Sequence, residues 1–255
     1  MEIWRRLAAD NPAAHEPDLA SGLTNLGIWL SVVGRHTEAL STTEQAVEIW
    51  RRLAADNPAA HEPDLARSLA NLANLGSRLS AVRQHTEAVT ATEQAVTIYR
   101  RLAAHNPAAY EPDLATALSN LCNRLSEVGR HTEALSAEQE AVGIRRRLAA
   151  DNPAAHESNL AHSLFVVAVL LAMGNDLSRA LHATGEAVEL YRNHISVMPS
   201  ALQQLHAVLS LQAQLLDDLG RQNDAQAVRR WLYWRPRTGR QPRPHWPGWL
   251  WQGPV

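Results

Sequence analysis

The stretch EIWRRLAADNPAAHEPDLA starts at Glu2 and recurs unchanged at Glu48. Two close variants follow, TIYRRLAAHNPAAYEPDLA from Thr97 and GIRRRLAADNPAAHESNLA from Gly143. The chain is therefore a tandem array whose copies begin 46, 49 and 46 residues apart. A period of this size is typical of supersecondary units that stack on their neighbours and share one continuous core. Such arrays usually hold other molecules on a surface and lack a pocket for chemistry.

Each copy is predicted to contain two helices. The first helix is expected to open at a Pro-Asp-Leu triplet, because proline suits the first helical turn and aspartate complements the helix dipole. The triplets begin at Pro17, Pro63 and Pro112. The second helix is expected to start near a threonine N-cap, to run for about twenty residues and to end before an Asn-Pro pair such as Asn57-Pro58. The capping threonines would be Thr37, Thr86 and Thr132.

Three extra residues interrupt the second copy, where Leu69-Ala70-Asn71 is followed directly by Leu72-Ala73-Asn74. Three residues correspond to about 0.8 of a helical turn. The sequence therefore predicts that the first helix of this copy is nearly one turn longer than its counterparts, or that it contains a bulge.

Composition excludes several classes of chemistry. All 24 basic residues are arginine, so a P-loop lysine and a lysine Schiff base are both impossible. The single cysteine, Cys122, permits neither an intramolecular disulfide nor a cysteine-based zinc site. The formal net charge is −2, which gives no general attraction to nucleic acid or to an anionic membrane.

No segment indicates secretion or a membrane span. The chain start, MEIWRRLAAD, has no apolar leader, and the longest nearly uninterrupted apolar run, Leu164 to Met173, is about half of what a span requires. A cytoplasmic location is therefore expected.

The copies resemble tetratricopeptide repeats. Leu23, Leu26-Gly27, Leu30, Ala39 and Ala46 match the packing residues of that repeat in spacing and type. The later copies give Leu72, Leu75-Gly76, Leu79, Ala88 and Ala95; Leu118, Leu121-Cys122, Leu125, Ala134 and Ala141; and Leu164, Val167-Ala168, Leu171, Ala180 and Ala187. The copies are longer than the usual 34-residue unit and are most similar to the kinesin-light-chain type found in bacterial regulatory proteins.

The resemblance implies an all-α fold, a right-handed superhelical solenoid of tetratricopeptide-like helix pairs. First helices would line its concave face. We expect residues 1–14 to be a partial repeat, residues 15–233 to form about five helix pairs, and residues 234–255 to be an irregular tail. The implied function is binding of proteins or peptides without catalysis.

Asparagines occupy one repeated place, just before the Leu-Gly or Leu-Cys pair. They are Asn25, Asn74 and Asn120, with Asn123 one turn further on. In peptide-binding members of the family an asparagine at this place faces the groove, where its amide can both donate to and accept from a peptide backbone. The alternative is that these residues only cap or solvate the inner face, or persist from repeat duplication.

The fourth copy replaces polar residues of the third with Phe165, Val166, Val169 and Leu170. An apolar residue on every side of a helix indicates burial on every side. Either the fifth helix pair or a partner, including a second copy of the chain, is expected to cover this apolar patch.

Arginine doublets recur in the second helices, and Glu48 and Arg52 stand at the i,i+4 spacing of a helical ion pair. A solvated charged face is the simplest interpretation; a stripe that binds phosphate or an acidic protein is the alternative. The twelve histidines recur about one repeat apart, too far for a shared metal ion. The sequence therefore predicts no metal, no cofactor and no active site.

The last 22 residues differ from the rest of the chain. Residues 234–255 contain four arginines, five prolines and four tryptophans, and proline at this density prevents a regular helix. Such a tail would suit stacking on nucleic acid or binding of a partner. A translation frame shifted in the coding sequence, in a fragment of a longer repeat protein, is the alternative that we favour; nucleic acid is not an expected partner.

Together these features predict a non-catalytic scaffold that binds proteins or peptides, as part of a larger regulatory protein. The alternative is a self-associating structural array that uses the apolar fourth copy.

Overall fold

A computed structural model describes residues 1–78, 82–194 and 199–232. Every regular element in these ranges is an α-helix, which confirms the predicted all-α class. The helices are α1 (Glu2–Asp10), α2 (Pro12–Val32), α3 (His36–Asp56), α4 (Pro58–Arg78), α5 (Val82–His105), α6 (Pro107–Glu127), α7 (His131–Asp151), α8 (Pro153–Met173), α9 (Leu177–His194), α10 (Pro199–Asp218) and α11 (Gln222–Leu232). The tail assigned to residues 234–255 lies outside the described residues, and the division into three segments stays a prediction.

The first helix of each copy begins five residues earlier than the Pro-Asp-Leu triplet predicted. In the first copy α2 starts at Pro12, and Pro17 lies inside it. The preceding Asn11 separates α1 from α2 and caps α2, because its Oδ1 accepts a hydrogen bond from Ala14 N at 3.4 Å. Asn57, Asn106 and Asn152 cap α4, α6 and α8 in the same way. The Asn-Pro pair therefore ends one helix and starts the next, with proline at the first position, where its missing N–H costs nothing.

The second helices also begin before the threonines proposed as caps. Helix α3 starts at His36 after Arg35, whose side chain makes no capping bond. The glycine just before this arginine is left-handed, with φ +81° at Gly34, as is usual after a helix C-terminus. Arg35 instead forms a two-armed ion pair with Glu38 in the first turn of α3, at 2.6 and 2.5 Å. A charged pair thus stands where a threonine cap was expected.

The described part of α4 ends at Arg78 and that of α5 begins at Val82, and residues 79–81 between them lie outside the described residues; the prediction that the three extra residues lengthen or bulge the first helix therefore stays a prediction. Helix α4 has 21 residues, the same as α2 and α6, and is helical throughout. Helix α5 has 24 residues, against 21 in α3 and α7. Counted from the opening proline of α4, Leu69 holds the place of Leu23 in α2 and is fully buried. Leu72, three residues further on, is only half-buried.

The chain divides into two compact units, residues 1–137 and 138–255. In unit 1 each helix from α1 to α6 packs against the next, and the first helices also contact one another, α2 with α4 and α4 with α6. The core between the pairs contains alanines with no exposed surface, such as Ala20, Ala39 and Ala46. Small residues at these places let the helix backbones approach closely, which is why the repeat needs them.

Unit 2 contains the main part of α7 and helices α8 to α11. Helix α9 packs against α8 and α10, α10 packs against α11, and α10 also reaches α8. Within the described ranges, α8 is the one helix long and apolar enough to cross a membrane by length and composition. This is weak support for a span, since helices in protein cores meet the same test, and Leu160, Leu164 and Val167 of α8 are buried within the unit.

Candidate functional site

The three repeated asparagines lie on three helices that contact in sequence. Asn25 is on α2, Asn74 on α4 and Asn120 on α6, all within unit 1. Helix α2 contacts α4 and α4 contacts α6, so the three residues lie on successive first helices. Counted from the opening prolines, Asn25 and Asn120 hold the same place, which in α4 is the place of Asn71, and Asn74 lies three residues further on. Asn25 is exposed, while Asn74 and Asn120 are half-buried. Their side chains are thus at least partly accessible to solvent, while their backbones belong to packed helices.

A buried hydrogen bond holds the first two helices together beside Asn25. Thr24 Oγ1 and Ser68 Oγ lie 3.0 Å apart across the α2–α4 contact. The Thr24 hydroxyl also donates to Ala20 O at 2.9 Å, so that it bonds to its own helix and to the neighbouring one. This bond stands next in sequence to Asn25 and fixes the spacing of the first two asparagine-bearing helices.

Asn123, the fourth predicted residue, is exposed on α6 in a polar setting. The next residue, Arg124, pairs with Glu127 at 3.1 Å. The corresponding places on α2 are apolar, with Ile28 in place of Asn123 and Trp29 in place of Arg124. The surface of the first helices therefore changes from apolar on α2 to polar on α6.

The apolar residues of the fourth copy are partly covered. Leu170 is buried, and Phe165, Val166 and Val169 are half-buried on α8. Helix α10 contacts α8, in agreement with the idea that the fifth helix pair lies against this helix. Which element covers each of the four side chains stays a prediction.

The arginine doublets join helices, a role that the sequence analysis missed. The first arginine of a doublet bonds to the second helix of the next copy, as in Arg51 to Gln94 at 3.0 Å. Arg5 bonds to Gln45 at 3.1 Å and Arg146 to Glu186 at 2.6 Å at the equivalent places. The bonded residues lie about 40 apart in sequence, and this shared separation was the available signal.

The second arginine of a doublet bonds within its own copy. Arg52 on α3 pairs with Glu16 on α2 at 2.8 Å, and Arg101 on α5 pairs with Glu62 on α4. The predicted i,i+4 pair of Arg52 with Glu48 is therefore wrong; Glu48 lies 3.8 Å from Arg51. With these partners the arginines serve the stacking of the array, and a phosphate-binding stripe has no support.

Two grooves of similar size lie between neighbouring second helices, one in each unit. The groove of unit 1 has a volume of 360 Å³, with Leu69 on its floor and Arg51 at its edge. The groove of unit 2 has a volume of 320 Å³, with Leu164 and Arg146 at the equivalent places. Both are shallow openings over a first helix, bridged by the arginine bonds just described.

A buried ion pair distinguishes α7 from the other second helices. Arg145 lies 3.4 Å from Glu138 and also bonds to Ser163 on α8. Glu138 is 1 % exposed, and burial lowers the pKa of the Arg145 guanidinium from its ordinary value. Three other second helices have an aromatic residue at the place of Arg145, namely Trp50, Tyr99 and Tyr191.

The side chains that could bind a metal ion are scattered over the described ranges. No group of three or more metal-binding side chains is found among these residues, and Cys122 is a buried free cysteine within α6. The arrangement as a whole, helix pairs stacked by repeated contacts and carrying polar side chains on the first helices, defines a helical repeat protein.

The chain belongs to the tetratricopeptide repeat family. The profile of the tetratricopeptide repeat matches residues 19–59, 65–107 and 114–154, which are the first three copies. This confirms the resemblance seen in the sequence. No curated protein matches the chain in sequence.

Several solved structures share the fold at low sequence identity. BtubC (BKLC) from P. vanneervenii is 19 % identical with a TM-score of 0.63, over 94 % of this chain and 91 % of that one. RapI is 11 % identical with a TM-score of 0.66, over 89 % of this chain and 56 % of that one. YrrB, described as a tetratricopeptide repeat protein with an unusual peptide-binding site, is 15 % identical with a TM-score of 0.55, over 88 % of each chain.

Proposed function

We propose that this protein is a non-catalytic scaffold that binds an extended segment of a partner protein along Asn25, Asn74 and Asn120, with Asn123 at the end of the row. The observation that carries the proposal is the placement of these asparagines on three first helices in successive contact, each at least partly exposed. The family and the peptide-binding site described for YrrB support a protein or peptide partner.

The chemistry of the row suits a peptide backbone. A carboxamide offers one acceptor oxygen and two donor hydrogens, so it can pair with a peptide N–H and C=O together. Packed helices lie about 8–10 Å apart, and an extended chain advances about 3.3 Å per residue. One asparagine would therefore meet about every third residue of the bound segment. Contacts of this kind hold the backbone and leave most of the side-chain preference to other positions.

The scaffold is proposed to act in the cytoplasm as one arm of a larger regulatory protein, without a cofactor. The stacking bonds of the arginine doublets suit this role, because they hold the second helices in fixed positions while the first helices present the row.

The test is selection of displayed random peptides of about twelve residues, long enough to cover three helices. A selected peptide is then measured by calorimetry against the full chain, Asn74→Ala and the triple variant Asn25→Ala/Asn74→Ala/Asn120→Ala. Loss of two hydrogen bonds is expected to weaken binding about tenfold in the single variant and more in the triple variant. Asn159→Ala is the matched control, because Asn159 is an exposed helical asparagine on α8.

Equal affinity for the triple variant and the unchanged chain would overturn the proposal. Circular dichroism of each variant separates loss of binding from loss of helix.

Self-association through the apolar fourth copy is the second candidate. The observation in its favour is Met173, which is 60 % exposed at the end of α8. Its test is sedimentation equilibrium of the full chain and of Met173→Glu: a monomer–dimer equilibrium that the variant abolishes would support it, and a monomer at every concentration would overturn it.

A further inference from the structure

An open groove of 320 Å³ lies in unit 2, between the second helices α7 and α9 and above the first helix α8. Its floor is apolar and consists of buried side chains, namely Val142, Leu164, Val167, Leu171 and Ala183. The part of the floor that α8 supplies runs from Leu164 to Leu171, which is about 10 Å of helix. This volume is at the lower end of ligand pockets, so the groove suits a short linear ligand.

One end of the groove is electrically neutral, because two helices share a carboxylate there. Arg146 on α7 donates to Oε2 of Glu186 on α9 at 2.6 Å, and His182 Nε2 lies 3.0 Å from Oε1 of the same residue. Gln139 and Arg179 stand about two helical turns before Arg146 and Glu186, so they share the opposite end. The charge of Arg146 is thus already matched, whereas the opposite end presents the charge of Arg179.

The guanidinium of Arg179 can take a second anion. Its side chain is 63 % exposed, and its Nη1 pairs at 3.2 Å with Asp176, which does not line the groove. Among the described residues this is the one carboxylate that Arg179 meets, and a guanidinium has five N–H donors in a planar fork. Nε and Nη2 therefore remain for a ligand, and the exposed amide of Gln139 adds a donor at the same end.

The equivalent groove of unit 1 has a different rim. It is bridged by Arg51 and Gln94 at 3.0 Å. Counted from these two residues, α5 has Thr90 at the place of the histidine and Glu87 at the place of the arginine of the open end. The charged residues that line it are Arg51 and Glu93, which balance each other. Two arginines and a histidine against one glutamate line the groove of unit 2, so of the two grooves it is the one that favours an anion.

We propose that the groove of unit 2 binds a small amphipathic carboxylate, whose carboxylate lies at Arg179 and Gln139 and whose alkyl chain lies on the floor. A carboxylate accepts charge-assisted hydrogen bonds from a guanidinium, and these are stronger than hydrogen bonds between neutral groups. The alkyl chain is stabilised on the floor in proportion to the apolar area that is removed from water. The site uses none of the asparagines of the proposed peptide row, so it is a second binding function on a different set of helices.

The expected affinity is modest, because the groove is open on one side. Octanoate is the probe, since its chain of about seven apolar carbons is comparable in length to the floor. Half-burial of that chain together with one charge-assisted contact corresponds to a dissociation constant of about 0.5 mM.

The experiment is an NMR titration of the full chain with octanoate from about 0.05 to 5 mM, a range that brackets the expected dissociation constant. The ring signals of His182 report on the groove, and they are assigned by their absence in His182→Thr, which places the residue of α5 on α9. They are expected to shift in a saturable manner. Acetate has the carboxylate without the chain, and octylammonium has the chain with the opposite charge; both are expected to bind about tenfold more weakly or less.

Arg179→Glu is the test variant, because α5 has a glutamate at this place. It is expected to weaken octanoate binding about tenfold or more, since it removes the donor and adds a like charge. Arg192→Glu is the matched control, because it reverses the charge of an exposed arginine further along α9 and outside the groove lining. The control is expected to keep the affinity of the unchanged chain. Circular dichroism checks the helix content of each variant, and Arg179→Gln, the smaller change, serves if Arg179→Glu loses helix.

Any of three results would overturn the proposal. The first is that the His182 signals do not shift up to about 5 mM octanoate, which would mean that the groove stays empty. The second is that octylammonium binds as tightly as octanoate, which would mean that the rim does not select an anion. The third is that Arg179→Glu binds octanoate no more weakly than Arg192→Glu does, which would mean that the carboxylate does not lie at Arg179.

Discussion

Helices α3 and α7 hold equivalent places in the array, yet they satisfy one core position by different means. In α3 the position is Trp50, which is 2 % exposed, and Thr43 stands seven residues earlier on the same face, with its hydroxyl donating to Ala39 O at 2.9 Å. In α7 the position is Arg145, and the residue seven places earlier is Glu138. Two turns of helix separate the members of each pair, so both pairs point into the same region between helices.

The comparison shows that each copy keeps a buried volume at this position, and that different side chains can occupy it. Helices α5 and α9 have the same kind of pair as α3. In α5 Thr92 stands seven residues before Tyr99, and in α9 Thr184 stands seven residues before Tyr191. Only in α7 are both members changed, so that a charge pair replaces an aromatic residue and a hydroxyl. A buried ion pair costs desolvation that its attraction only partly returns, so it is expected to stabilise α7 less than the aromatic residue stabilises α3.

The largest expected effect comes from emptying the position in α3. Trp50→Ala should destabilise the protein by about 4 kcal/mol, because it removes a fully buried side chain and leaves a cavity. Trp50→Tyr should cost far less, since α5 and α9 have tyrosine at this place. Urea denaturation followed by circular dichroism measures the change, and amide hydrogen exchange should assign it to unit 1. A loss below about 1 kcal/mol for the alanine variant would mean that the neighbouring helices close the gap.

Breaking the pair in α7 is expected to have the next largest effect. Glu138→Ala should cost about 3 kcal/mol, since it leaves Arg145 buried without its carboxylate. The double variant Glu138→Thr/Arg145→Tyr, which gives α7 the residues of α5 and α9, should match or exceed the unchanged protein in the same urea measurement. If the double variant is as unstable as the single one, a threonine–tyrosine pair cannot replace the ion pair of α7, and the idea that the copies exchange these pairs freely is wrong.

Alkaline pH should distinguish the tyrosine copies from the arginine copy. Burial raises the pKa of Tyr99 and of Tyr191 to about 12, against 10.0 for a free side chain. Because the folded pKa is the higher one, this contribution to stability is complete below about pH 10 and is lost as the pH rises towards 12. Tyrosinate absorbance should therefore show two late-titrating groups whose ionisation accompanies unfolding. The double variant of α7 should add a third, and titration of that tyrosine near 10 would show that the α7 site is not closed to water.

The smallest expected effect concerns Gly143 of α7, at a place where α3, α5 and α9 have Glu48, Thr97 and Glu189. A Cβ at Gly143 would meet nothing within 4 Å, so Gly143→Ala should stabilise the helix by about 0.8 kcal/mol. The matched control is Gly27→Ala on α2, where the added Cβ would clash with Thr43 Oγ1, so this substitution should destabilise the protein instead. The difference in melting temperature between the two variants checks this, and a destabilising Gly143→Ala would point to a close contact at that place.

Much of the fold could be predicted from the chain because the signals are local and repeated. The length of the second helix, the left-handed Gly34 and the buried alanines follow from residues a few positions apart. The helix starts were misplaced because Pro17 suits a first turn as well as Pro12 does, and only the Asn11 cap distinguishes them. The three extra residues were assigned to the first helix because the duplicated letters lie there, and this assignment stays a prediction, since residues 79–81 at the junction of α4 and α5 lie outside the described residues.

The sequence identified the residues of the candidate site, but it could not predict their exposure or their neighbours. The repeated place of Asn25, Asn74 and Asn120 is visible in the letters, but their different exposure depends on how neighbouring helices lie against them. The partners of the arginine doublets were missed for the same reason. Arg51 and Gln94 are 43 residues apart, and nothing local to either residue indicates the other.

The sequence by itself determined the class of this protein, since period, caps and small residues act over one or two helical turns and are repeated four times. Only the tertiary structure decided which side chains meet across the stack and which remain exposed. It joined Arg145 to Glu138 and Ser163 in a buried cluster, at the place where α3 buries Trp50. The physical reason is that burial depends on the neighbour that a helix face receives, and copies with nearly the same sequence receive different neighbours along the array.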